Sequence, residues 1–138
     1  MLEFYKTKSV AIGIADNLSK IDFANGISTI NGRGMIIDKH VLSDSKSLVQ
    51  TVVHEYVHLM GGNEIEAYGV GLVTGTMSNK GLLDRIKQAN RDSNIGDLLL
   101  GASEELKFEI MSYPATDYSN EIINQFKQTG EAWLEKQK

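Results

Sequence analysis

Apolar residues along this chain follow two different periods, and the change falls near Ser43. Before it, aromatic and branched residues gather in short runs at residues 2–6 and 9–14, which predicts strands. The stretch ISTINGRGMIIDKHVL predicts two more, at residues 27–30 and 35–41, joined across Asn31, Gly32, Arg33 and Gly34. Asn-Gly supplies the positive φ that a tight hairpin turn needs. Residues 15–21 suit a short helix.

Past Ser43, residues Leu48, Val49, Val52, Val53, Tyr56, Leu59 and Met60 recur at helical spacing behind the capping candidates of SDSKS. Val49, Val52, Val53, Tyr56 and Met60 are expected to face the core. Gly61-Gly62 stops this helix, because glycine takes the left-handed position after a helix without penalty. Asn63 followed by Glu66 has the capping-box pattern and opens EIEAYGVGLVTG, in which Gly71 and Gly75 permit close backbone packing. A third helix is expected near residues 80–90, with an ambiguous segment from there to Ile110. After Pro114, Asp117 or Ser119 caps a last helix whose Ile122, Ile123, Phe126, Trp133 and Leu134 make one buried stripe. Strands first and helices after, without repeat or linker, predict an α+β fold. It is read as one domain over residues 1–138, with an N-terminal mixed or antiparallel sheet, a central helix and C-terminal helices.

With 138 residues, 41% of them hydrophobic, the chain can bury a core, and disorder is excluded. Fourteen basic against eighteen acidic residues leave a charge of −4, so nothing recruits nucleic acid or anionic lipid. The absence of cysteine removes disulfides, thiolate metal sites and Cys nucleophiles. No run approaches the roughly 20 apolar residues of a membrane span. MLEFYKTKSV lacks the basic and apolar regions of a secretory signal. This leaves the location open between the cytoplasm and delivery as part of a larger secreted protein. Gly26, Gly32 and Gly34 lack the G-x-x-x-x-G-K-[ST] pattern of a phosphate loop, so turn geometry accounts for them.

Two of the three histidines stand in HEYVH, residues 54–58, inside the most strongly periodic helix. Residues i and i+4 of a helix are neighbours, so His54 and His58 can reach one cation. Glu55 lies beside that pair, placed to take a proton from a water on the metal. This is the H-E-x-x-H zinc pattern, two ligands and a general base. Catalytic zinc normally takes three protein ligands, and Glu64, Glu66 and His40 are the candidates for the third. Glu64 lies six residues past His58, beyond the glycine reversal, which allows its carboxylate to swing back under the helix. Glu66 has a competing role as the capping partner of Asn63.

These residues resemble the zincin metallopeptidases, and more narrowly the metzincins, whose motif extends to H-E-x-x-H-x-x-G-x-x-H/D. HEYVHLMGGNE matches His54, Glu55, His58 and Gly61 and puts Glu64 at the third-ligand position, where the usual residue is His or Asp. EIMSYP resembles the Met-turn, which places Met111 beneath the metal and Tyr113 near it as a switching tyrosine. NEIEAYG is similar to the E-x-x-A pattern of glutamate-zincins, with Glu64 again the ligand. The short HExxH…NExxA layout also resembles toxin modules of bacterial polymorphic effectors, which implies a cognate inhibitor or immunity protein as partner.

The resemblance implies Zn2+ held by His54, His58 and Glu64, Glu55 as general base, and Tyr113 as donor to the oxyanion. It implies a zinc endopeptidase acting on peptide or protein substrate. It also implies that strand 35–41, which carries His40, pairs with extended substrate. Two other functions fit the same residues. One is an amidase for a non-protein amide such as a peptidoglycan cross-link, and the other is a non-catalytic zinc-binding module derived from a peptidase.

Overall fold

The computed structural model describes residues 11–16, 26–28 and 34–138, which build a three-stranded mixed sheet followed by six helices. The expected strand at 2–6, the helix at 15–21 beyond Asp16 and the turn residues 31–33 lie outside the described residues. Two compact units divide the chain, Met1–Gly62 and Asn63–Lys138.

In the first unit, β1 (Ala11–Ala15), β2 (Gly26–Ser28) and β3 (Gly34–Asp38) run in the order β1-β3-β2. β2 pairs antiparallel with β3, Ile27 opposite Ile36, as a hairpin predicts. β1 pairs parallel with β3, Ile12 opposite Met35. β3 is therefore central, with both backbone edges occupied, and cannot take up a substrate strand as the sequence suggested. The hairpin was visible locally, whereas the parallel partner on the other side comes from a distant stretch of chain. GMIID alternates little, because a strand covered on both faces reads as a continuous apolar run; all but Ile36 of its residues are buried.

A 3-10 turn (Lys39–Ser43) leads from β3 to helix α1 (Ser45–Leu59). Asp44 caps α1 by accepting from the Lys46 N–H at 3.1 Å and the Ser47 hydroxyl at 2.8 Å. Hydrogen bonding in these caps holds the Asp44 carboxyl below its ordinary range. The first unit's core joins Met35, Ile37, Val41 and Tyr56, flanked by Leu48, Val52, Leu59 and Met60. The buried side of α1 differs from the expected stripe. Thr51, Val53, Glu55, Tyr56 and Val57 are buried, and Val49 is 49% exposed.

The second unit is helical: α2 (Glu64–Thr74), α3 (Asn79–Arg91), α4 (Gly96–Leu99), α5 (Glu104–Ser112) and α6 (Ser119–Lys136). Its core gathers Leu72, Leu82, Ile86, Leu106, Ile110, Ile122, Phe126 and neighbouring residues of all five helices. α2 and α6 cross where Gly69 meets Gly130. A methyl at Gly69 would stand 2.2 Å from the Phe126 carbonyl oxygen, and one at Gly130 would stand 2.2 Å from the Gly69 carbonyl carbon. The close packing expected of Gly71 and Gly75 thus falls elsewhere. Gly75 ends α2 at φ 78°, and a methyl at Gly71 would meet Met77 within its own unit. The N-cap of α6 is Tyr118, which makes no side-chain cap bond, and not Asp117 or Ser119 as the sequence suggested; Asp117, one residue before it, accepts from the backbone N–H of Ser119 at 3.1 Å. Among the described residues, no helix is long and apolar enough to cross a membrane.

Candidate metal centre

The end of α1 is shaped by Gly61, which stands at φ 90°. Its N–H reaches the His58 carbonyl and the Gly62 N–H reaches the Val57 carbonyl, both at 2.9 Å. These are the paired bonds of a Schellman turn, and they need a left-handed residue at Gly61. The reversal carries the Gly62 carbonyl back to the imidazole of His58, whose Nδ1 lies 2.9 Å from it. A carbonyl oxygen only accepts, so Nδ1 carries the proton and Nε2 of a neutral His58 ring keeps its lone pair. Gly62, which the sequence marks only as a helix stop, supplies the carbonyl partner of the His58 ring.

That lone pair faces His54. The two Nε2 atoms are 3.2 Å apart, and the rings meet edge to face with centroids 4.8 Å apart. Two imidazole nitrogens on one tetrahedral zinc, each at 2.0–2.1 Å, stand about 3.3–3.4 Å apart. The observed spacing fits one shared cation. Without metal, the same contact is a hydrogen bond in which His54 donates its Nε2–H to His58.

Glu55 completes the group. Ligand atoms of His54, Glu55 and His58 lie within 4.8 Å of one another, with the histidines half-buried and Glu55 buried. Its carboxylate is therefore drawn to the histidine side, and its stem runs under the sheet. Strand β2 covers that stem, with Gly26 above Thr51 and Glu55. Gly26 has no positive φ, so clearance and not turn geometry explains the glycine there.

The remaining sequence candidates fall as follows. Glu64 is the first residue of α2, in the second unit, and its ligand role rests on sequence spacing. Glu66 closes the expected capping box: its Oε1 accepts from the Asn63 N–H at 2.9 Å, and Asn63 Oδ1 accepts from the Glu66 N–H at 2.8 Å. His40 lies in the 3-10 turn beyond β3, where its backbone N–H donates to Asp38 at 3.1 Å and its ring Nδ1 pairs with the same carboxylate.

The Met-turn expectation is corrected. EELKFEIMS forms the continuous helix α5, started by the Ser103 cap and by Glu104 and Glu105 at its positive end. Met111 lies in its last turn and is 61% exposed. Tyr113, expected to serve as oxyanion donor, is buried in the second unit's core, with the Lys87 ammonium 5.8 Å from its ring centroid.

Comparison of the chain with protein-family models, with curated proteins and with solved structures finds no match.

Proposed function

We propose that this protein is a divalent-metal hydrolase of amide bonds, a zinc endopeptidase in which His54, His58 and Glu64 hold the ion and Glu55 is the general base. The observation that supports it is the 3.2 Å pair of imidazole nitrogens with a buried carboxylate in the same group. Structural zinc sites need no such base beside their ligands. When bound, the ion acidifies water and polarises the scissile carbonyl.

The protein's own residues do the rest. His58 presents Nε2 because the Gly62 carbonyl fixes its tautomer, the outer-shell support that orients a ligand imidazole. Glu55 takes a proton at its carboxylate and returns it to the leaving amine. Extended substrate adds to the sheet at β2, the end strand among the described residues, which lies against Thr51 and Glu55, so main-chain pairing aligns the scissile bond beside the base.

The test is Glu55→Gln in zinc-loaded protein assayed on labelled, unstructured protein. Cleavage is expected to fall by about 10²–10⁴ while zinc is retained. Undiminished cleavage by that variant would overturn the assignment of the base.

A further inference from the structure

The inference rests on the hydrolase reading and concerns what aims the base. Thr51 and Glu55 sit one helical turn apart on α1, 6% and 7% exposed. A methyl group at Gly26 would stand 2.7 Å from Thr51 Cγ2, 3.2 Å from Glu55 Cγ and 3.3 Å from the Ile36 carbonyl oxygen. The first distance is an overlap, and the other two are tighter than ordinary contact. Strand β2 cannot back away, because Gly26 is paired with Ile37 of the central strand.

The Glu55 stem is thus trapped between helix and strand at Cγ. A glutamate has three side-chain torsions, and fixing Cγ settles the first of them, the one that decides on which side of the helix the carboxylate emerges. Glu55 emerges toward His54 and His58. We propose that Gly26 is a positioning residue: the missing side chain seats β2 on Glu55 Cγ and so holds the carboxylate toward the two imidazoles.

Thr51 separates this role from plain packing. Gly26→Ala meets all three atoms, whereas Gly26→Ala/Thr51→Ala removes the closest clash and leaves the contacts with Glu55 Cγ and the Ile36 carbonyl oxygen. Thr51→Ala alone is the reference. The double variant is expected to melt near the reference and to bind Zn2+ within about twofold of wild type, since neither substitution touches a histidine. Its kcat on labelled unstructured protein is expected to fall about a hundredfold, with KM little changed, as a misplaced base requires. Its crystal structure is expected to show the Glu55 carboxylate turned away from His54 and His58. An unmoved carboxylate with wild-type kcat would overturn the proposal. Wild-type protein that binds zinc and cleaves nothing would remove the hydrolase reading instead, and the Glu55 position would still decide the role of Gly26.

Discussion

His54 Nε2 lies 3.2 Å from His58 Nε2, while the second nitrogen of His58 is held by the Gly62 carbonyl. The Gly62 carbonyl fixes the tautomer of His58, and the 3.2 Å contact then places a proton on His54 Nε2. Ion capture therefore acts on His54, whose proton must leave Nε2 for Nδ1, while His58 keeps its proton where it is. Nitrogen-15 NMR of the imidazoles, before and after Zn2+, is expected to show this tautomer change at His54 alone. A His54 ring whose proton stays on Nε2 in saturating zinc would contradict the shared site.

Glu64 and Glu66 separate by what each loses. Glu66 reaches back to the Asn63 N–H, so Glu66→Ala is expected to cost stability of about 0.5–1 kcal/mol and to leave zinc affinity unchanged. Glu64→Ala is expected to weaken zinc binding by about tenfold or more, as loss of one of three ligands should. Isothermal titration with zinc and thermal melts of both variants read the two effects. Reversal of the pattern would move the ligand to Glu66.

Gly69 and Gly130 let α2 and α6 touch backbone to backbone. Gly69→Ala drives a methyl into the Phe126 carbonyl, an atom that cannot rotate away, and is expected to cost at least about 3 kcal/mol. Gly75→Ala instead meets no neighbour and pays only for its left-handed backbone, about 1 kcal/mol. Urea titrations of the two variants give the comparison; equal losses would show that the crossing tolerates a side chain.

Glu109 is buried on α5 and accepts from Gln125 Nε2. Burial, with like charge from Glu105 and Glu121, holds its carboxyl above the ordinary range, and the Gln125 bond opposes this. The folded protein thus grips this proton more tightly than the unfolded chain does. The group favours folding most below the ordinary carboxyl value, and that advantage is lost as pH rises through the raised folded value. Glu109→Gln keeps an oxygen for Gln125 and removes the charge. Its Tm is expected to exceed wild type at about pH 7, with the gap closing toward about pH 4. A lower Tm at neutral pH would show that the charge is favourable where it lies.

What was legible in the sequence was local. Asn63 and Glu66 announce the cap of α2, Gly61 announces the end of α1, and the HEYVH spacing brings His54 and His58 together. What was not legible depends on distant partners. Val49 fits the apolar period yet is exposed, and Glu55 and Thr51 are buried, because β2 covers their side of α1. β3 reads as an edge until β1 pairs with it in parallel. The residues EIMSYP resemble a turn motif, but the helix begun at Ser103 has no reason to stop before Ser112. Gly62 is silent in sequence because its carbonyl, common to every residue, is what acts.

The central claim is a single ion on His54 and His58, and zinc stoichiometry measures it. Purified chain, stripped with chelator and titrated with Zn2+ against a competing indicator, is expected to bind about one equivalent. That binding should persist in Glu55→Gln and be lost in His54→Ala and in His58→Ala. A chain that takes up no zinc, or whose histidine variants bind it as tightly as wild type, would contradict the account.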